Sequence, residues 1–257
     1  MNTYERRQSL LELLRKQTGL RVPELAKATG VSQGTVRNDL NALEGEGHLT
    51  RMHGGAVLAG KSPQFDSTFG KRFQEQQANK LTIARAVSRL VEDGASLLLD
   101  ASSTVYYLAR QLENRNRLRV VTNGIDVARL LSRNSTNTVV LMGGVVTPDG
   151  SSVTGSLSQQ IIRDLHVQMA FVSCSGFSLE RGLTDVLLAE AELKGKAIAS
   201  AREVFALIDS SKMGKEDLTS FASVNQIAHL YTDPGLSDDW AARLKAAGIA
   251  FTICSAN

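Results

Sequence analysis

Five short polar segments hold most of the chemistry available to this sequence. They are Asp100-Ala101-Ser102-Ser103-Thr104, Thr122-Asn123-Gly124, Gly143-Gly144, Ser173-Cys174-Ser175-Gly176 and Asp209-Ser210-Ser211-Lys212-Met213-Gly214. Each follows an apolar run: SLLL, RVV, TVVLM, MAFV and VFALI. Small hydroxyls and unpaired N–H groups at a helix start form an anion site, reinforced by the helix dipole. Lys212 adds positive charge. Asp100, Asp209 and Asn123 suit a ligand rich in hydroxyls. The combination describes a phosphate plus hydroxyls, as in a sugar phosphate or a similar small metabolite. Each segment also has a plainer reading. Ser102, Ser103 and Thr104 can cap a helix, Gly143-Gly144 can be a turn, and Asp209 to Lys212 can be a surface turn. Their arrival at one edge of one sheet favours a ligand pocket.

That sheet is expected from residues 80–257, where strand and helix patterns alternate. Helices are expected at 80–91, 104–113, 125–132, 155–165, 187–201 and 237–247. Strands are expected at 96–100, 119–122, 138–142, 169–174, 203–208, 228–232 and 250–254. Nearly all the strands are continuous apolar runs, as befits strands buried on both faces of a parallel sheet. In such sheets ligands bind beyond the carboxyl ends of the strands.

A second group of residues lies near the N-terminus. Helices are expected from about Tyr4 to Lys16, from Val22 to Thr29 with Pro23 in the first turn, and from Gln33 to about Glu46. Gly19 and Gly30 punctuate them, and Ser32 caps the third. Two helices joined by a short Gly turn, the second opened by Ser, form a helix-turn-helix pattern. The start of the second then enters a DNA major groove. Ser32, Gln33, Gly34, Thr35, Arg37 and Asn38 stand there. Arg pairs bidentately with guanine, and Gln or Asn with adenine. Asp39 is placed either to orient Arg37 or to complete a local charge pair. Gly47 to Val57 reads as a β-ribbon wing, with Arg51 and His53 placed to touch phosphate. An ordinary helical bundle would explain the helices but not the polar reading face or the basic wing.

Composition bounds the alternatives. The chain has 257 residues, 29 Lys+Arg and 26 Asp+Glu, a net charge of +3. This is neither a disordered polyelectrolyte nor a protein that grips nucleic acid by bulk charge. Residues 1–60 carry eight Lys/Arg against six Asp/Glu, a net of +2, which leaves +1 for the rest. A single head should bind DNA weakly, and pairing through the larger part would double its phosphate contacts. Residues 61–79 are polar, weakly periodic and contain Pro63; they read as a linker, partly helical toward its end. Domains are therefore expected at 1–60 and 80–257. Cys174 and Cys254 have no disulfide or zinc spacing, and a reducing cytoplasm is expected. His48, His53, His166 and His229 show no metal spacing, so neither metal nor cofactor is expected. No apolar run is long enough to span a membrane, and the first residues do not form a signal peptide.

The sequence resembles the DeoR family of bacterial sugar-metabolism regulators. In the head the resemblance rests on Glu5-Arg6, Glu24-Leu25-Ala26, Val31-Ser32, Thr35 through Leu40, Leu43-Glu44, Gly47 and Arg51 through Ala56. In the body it rests on Lys80, Asp100 through Thr104, Val121-Thr122-Asn123, Leu141 through Gly144, Gly155, Gly176 and Gly182-Leu183-Thr184. Glu190 through Lys194 and Asp209 through Lys212 complete it. The resemblance implies a winged helix-turn-helix joined to a mostly parallel α/β sensor domain similar to ribose-5-phosphate isomerase and the CoA-transferases. It further implies a transcriptional regulator, commonly a repressor, acting on double-stranded operator DNA as a dimer or tetramer and answering to a phosphorylated sugar. The expected effector residues are Asp100, Ser102, Ser103, Thr104, Thr122, Asn123, Gly143, Gly144, Ser175, Glu190, Asp209 and Lys212. Three positions depart from the family pattern. Asn38 stands where a second arginine is usual, which bears on operator sequence rather than on DNA binding. Ser173 stands for a frequent Gly and Met213 for a frequent Phe, and either could shift ligand choice.

An enzyme is the competing reading, with Asp100, Glu190 or Asp209 as the general base of a sugar-phosphate isomerase and Lys212 polarising the carbonyl oxygen. The same residues serve binding equally well, and a DNA-reading head is an odd companion for a metabolic catalyst.

Overall fold

The computed structural model describes residues 3–16, 20–45, 48–52, 55–58 and 68–255. The chain divides into two compact units, Met1–Ser67 and Thr68–Asn257.

The first unit contains α1 (Thr3–Lys16), α2 (Val22–Thr29), α3 (Gln33–Gly45), β1 (Leu49–Met52) and β2 (Gly55–Leu58). Leu10, Leu14, Leu25, Val36, Leu40 and Leu43 recur at helical spacing and meet in one buried core with Leu49 and Ala56. Gly30 ends α2 in the left-handed region (φ +70°), where its N–H donates to the Ala26 carbonyl. The strands β1 and β2 pair antiparallel, with Arg51 opposite Ala56.

The second unit is built on a seven-stranded parallel sheet. Its strands are β3 (Ser96–Leu99), β4 (Arg119–Thr122), β5 (Thr138–Leu141), β8 (Val167–Val172), β11 (Ala201–Leu207), β13 (His229–Thr232) and β14 (Phe251–Ile253). Their order is β14-β13-β11-β8-β3-β4-β5. The chain winds outward from β3 to β5, then restarts at β8 beside β3 and winds the other way. The junction of β3 and β8 is therefore the point where the winding direction reverses.

Strand residues alternate between two cores, as the period of two requires. Leu97, Leu99, Phe171, Phe205 and Leu207 face one side, and Leu98, Ala170, Val172, Val204 and Ala206 the other. The first side is covered by α5 (Gln77–Ser88), α6 (Ser103–Gln111) and α7 (Ile125–Leu131). The second is covered by α8 (Ser156–Arg163), α9 (Leu188–Ala199) and α10 (Asp238–Ala246).

Three features differ from the sequence expectation. Of the expected linker 61–79, residues from Thr68 onward belong to the body: α4 (Thr68–Gln74) precedes α5. Phe73 stacks on Tyr107 at 4.7 Å and meets Tyr106 edge-on, which holds α4 to α6. A small hairpin, β6 (Val145–Val146) and β7 (Val153–Thr154), lies where only a loop was expected. A three-stranded antiparallel sheet adds β9 (Gly176–Ser178), β10 (Gly182–Asp185) and β12 (Thr219–Ala222). These segments are short and glycine-punctuated, so they carry no legible alternation. Gly182 shows why: at φ +69° its Cβ position falls 2.1 Å from the Ala222 carbonyl oxygen.

Candidate functional site

In the head, the Ser32 hydroxyl accepts from the Thr35 amide at 3.1 Å and starts α3. This fixes the pitch of the helix whose first turn is exposed: Ser32, Gln33, Gly34, Arg37 and Asn38 face solvent, and Thr35 is half-buried. The Arg37 guanidinium donates to the Gln33 amide oxygen at 3.3 Å, one turn back on the same face. Asp39 does not orient Arg37. It is buried and turned toward α1, accepting from Arg6 at 2.5 and 3.2 Å and from Arg7 at 3.3 Å. Nor is its pair a local one: Arg6 and Arg7 stand 33 and 32 residues away, and the contact fastens α3 onto α1. Arg51 lies in β1. His53 falls outside the described residues.

In the body, the site grows from the point of winding reversal. Asp100 follows β3, and its carboxylate is held by the Ser102 amide (2.9 Å) and by the Ser173 amide (2.9 Å) just beyond β8. Lys194 reaches across from α9. Its ammonium lies 3.2 Å from Asp100 and 2.7 Å from Asp185, and also donates to the Ser173 carbonyl at 3.0 Å. Burial opposes the charge on Lys194, but Asp100, Asp185 and Glu190 outweigh it and hold the ammonium well above the ordinary lysine range. Burial likewise opposes the charge on Asp185, and Lys194 together with Ser175 reverses it, so this carboxyl stays below its usual range. The Ser175 hydroxyl donates to Asp185 at 2.6 Å.

Glu190 is buried on α9 one turn before Lys194 and accepts from the Ser152 hydroxyl at 2.6 Å. Ser152 belongs to the loop entering β7 and bridges Gly124, so the hairpin is laid against the Thr122-Asn123-Gly124 corner. Val153 also donates to the Asn123 carbonyl. Asp209 is fully buried at the end of β11. One of its carboxylate oxygens accepts from the Ser211 hydroxyl. Its other oxygen, and the side-chain amide nitrogen of Asn123, are buried with no hydrogen-bond partner. Buried polar atoms left unpaired are costly, and these two stand at strand ends where a ligand is expected to bind.

Several predicted residues have internal duties. The Ser102 hydroxyl caps α6 by accepting from Val105 at 3.3 Å. The Thr122 hydroxyl accepts from the Gly124 amide at 2.9 Å and shapes the corner. Ser103 and Thr104 are buried in the first turn of α6, and Ser173 is in reach of Thr104 at 3.5 Å. The Gly143 carbonyl accepts from Ser158. Gly144 is required by packing: at φ +142° a Cβ would sit 2.2 Å from the Thr154 carbonyl oxygen. Lys212 is half-buried in a single 3₁₀ turn after Asp209. A surface cavity of about 440 Å³ lies elsewhere, between α8 and α9, and is lined by Arg163, His166 and Lys196.

Sequence reading missed Asp185 as a site residue and gave Lys194 no role. The spacing of Glu190 and Lys194, one helical turn apart, was the available signal for the second. Lys80 is a third residue missed. Its buried ammonium donates to the Arg72 and Glu75 carbonyls at the end of α4. Burial lowers its pKa to about 8, with Asp209 and Lys212 as charged neighbours. The cysteines are unsuited to nucleophilic chemistry. Burial pushes the Cys174 thiol far above its usual range and raises Cys254 to about 11. Among the described residues, no group of three or more His, Cys, Asp or Glu could hold a metal ion, and no helix is long and apolar enough to cross a membrane.

A helix-turn-helix head with an exposed polar reading face, joined to a doubly wound α/β body with a buried polar cluster at its winding reversal, defines a DNA-binding regulator with a sensor domain. The model of the DeoR-like helix-turn-helix domain matches residues 6–62, and that of the DeoR C terminal sensor domain matches residues 75–234. The chain belongs to the DeoR family of transcriptional regulators. It is 35% identical over 253 residues to the HTH-type transcriptional regulator GolR of Listeria innocua, covering 98% of this chain and 99% of that one. It is 34% identical over 235 residues to the lactose phosphotransferase system repressor of Streptococcus mutans, covering 91% and 93%. Among solved structures, ribose 5-phosphate isomerase A from Methanocaldococcus jannaschii aligns with a TM-score of 0.41 at 19% identity, over 54% of this chain and 55% of that one.

Proposed function

We propose that this protein represses a carbohydrate-utilisation operon in the cytoplasm and that a phosphorylated sugar or related metabolite controls its grip on operator DNA. The observation that carries the effector half is that, of the four buried side-chain atoms without a partner among the described residues, two are the Asp209 carboxylate oxygen and the Asn123 amide nitrogen, both just beyond strand ends. A hydroxyl donated to the first and an oxygen accepting from the second would complete both. Lys212 and the amides opening α6 supply the positive potential for a phosphate. The names of relatives support the same reading: a lactose phosphotransferase system repressor in Streptococcus mutans and a putative aga operon repressor in Escherichia coli O157:H7.

In this reading Gln33, Arg37 and Asn38 meet base edges, while Ser32, Gly34, Thr35, Arg51 and His53 serve positioning and phosphate contacts. Effector alters DNA affinity by binding one arrangement of the heads better than another. The cluster is a binding site and not a catalytic one. Asp100 is the candidate base nearest the winding reversal, yet its carboxylate is committed to two main-chain amides and Lys194.

The test is fluorescence anisotropy of a labelled duplex from this gene's own upstream region, at fixed salt, with a panel of sugar phosphates. Specific binding that one of them weakens supports the reading. Binding that none of them changes would remove the effector half. Turnover of ribose 5-phosphate, lost in Asp209→Asn, would restore the isomerase reading.

A further inference from the structure

We propose that the open edge of the seven-stranded sheet, together with the hairpin that follows it, is the face through which two copies of this chain associate. The face consists of β5, β6 and the first turn of α8. Val140, Leu141, Val145, Val146 and Leu157 are exposed there by 39, 42, 72, 53 and 57%. Val140 and Leu141 point to opposite faces of β5, as do Val145 and Val146 in β6, so the apolar residues flank the edge on both sides. Met142, Gly143 and Gly144 join β5 to β6, the Ser158 hydroxyl donates to the Gly143 carbonyl, and Gly144 lies against Thr154 and Ser158. Leu157 is therefore fixed beside the β5–β6 corner.

Two observations commit this face to a second copy, and a third calls for one. The first is the strand itself. β5 has a sheet neighbour on one side only, β4. Natural edge strands are guarded by lysine, proline or inward-pointing charge. Here no charged residue occurs from Asn134 to Pro148, and Pro148 falls beyond both strands. An unguarded row of main-chain groups is satisfied by another strand edge, and two copies of β5 can pair antiparallel across a two-fold axis, each giving the other the same surface. The second is area. The exposed fractions of the five side chains amount to roughly 200–300 Å² of apolar surface by side-chain transfer energies. A standard interface covers about 800 Å² per partner, rather more than half of it apolar. The face thus supplies about half the apolar share before the half-buried Val139 and Ile161 beside it are counted. The third is the head, whose net charge of +2 makes a single copy a weak DNA binder.

The same hairpin carries Ser152 on its inner side, against Glu190. Association face and polar cluster share one element. The proposal holds whichever metabolite the cluster takes.

Sedimentation velocity on the full chain across the micromolar range tests it, comparing wild type with Val140→Lys, Val145→Glu and Ile253→Lys. The last places a charge on β14, the opposite edge. Wild type should sediment as a dimer or larger assembly. Val140→Lys and Val145→Glu should each weaken assembly by at least about tenfold, with wild-type far-UV circular dichroism, and Ile253→Lys should leave it unchanged. Should Val140→Lys fail to fold, Val145→Glu decides, since Val145 is largely exposed. A monomeric wild type, folded variants that assemble as wild type does, or loss of assembly through Ile253→Lys alone would overturn the proposal.

Discussion

Lys194, on the helix covering one face of the sheet, holds its ammonium 3.2 Å from the carboxylate of Asp100, the residue that follows strand β3. The same ammonium is 2.7 Å from Asp185 in the small antiparallel sheet. One buried cation thereby joins three layers of the body. Replacing Lys194 by Met should cost about 3–5 kcal/mol of stability, because two buried carboxylates lose their common partner. Chemical denaturation of the variant measures it, and a loss below about 1 kcal/mol would show that the carboxylates protonate at little cost instead.

The same cluster sets an acid limit. Asp185 has a lowered pKa in the folded chain, below its ordinary 3.8. A carboxyl of this kind binds fewer protons folded than unfolded, so its contribution is complete above the ordinary value and is lost as pH falls through the folded one. Stability of the body should therefore drop below about pH 4. Asp185→Asn should flatten that limb in melts recorded from pH 5 to 2.5; an unchanged slope would mean that other carboxylates set it.

Lys80 predicts an opposite effect at alkaline pH. Its pKa is lowered by burial to about 8. Between that value and the ordinary 10.5 the unfolded chain binds the extra proton, so stability rises with pH across this window. Lys80→Met should remove that rise while keeping the apolar stem packed. Melting temperatures taken at half-unit steps check this, and a rise equal to wild type would assign it elsewhere.

In the head, Arg37 and Asp39 should separate by phenotype. Arg37→Ala should weaken specific operator binding by about 1–3 kcal/mol if it reads a base, with the head's melting unchanged. Asp39→Asn weakens the clamp from Arg6 and Arg7 and should lower affinity for specific and scrambled duplexes alike, together with the head's melting temperature. Anisotropy on both duplexes distinguishes them. Equal loss on both duplexes for Arg37→Ala would make that residue a phosphate contact.

Gly144→Ala should destabilise the body by on the order of 2 kcal/mol, through the left-handed backbone and the Thr154 carbonyl that a methyl group would strike. Gly143→Ala should be mild, since its Cβ position meets only Ile161 at 3.9 Å. Equal effects from the two would remove the packing explanation for Gly144.

Local pattern was enough for much of this molecule. Apolar runs of four to six residues declared the parallel strands, the Ser32 and Ser102 caps declared two helix starts, and Gly30 declared a helix end. These signals are short-range, so they are written in neighbouring residues. Asp100, Asn123 and Asp209 were legible for the same reason, as polar residues ending apolar strands. Tertiary structure alone decided the rest. Asp39 chose Arg6 and Arg7 over Arg37 because α1 packs where no local rule could place it. Lys194 found Asp100 and Asp185 because α9 crosses the sheet at the winding reversal, and nothing in the spacing of those residues encodes that meeting. The strands at 176–178, 182–185 and 219–222 stayed hidden because they are buried by α9 and by one another, not by an alternation of their own. Gly144 looked like a turn residue until the facing Thr154 carbonyl showed what excludes a side chain there.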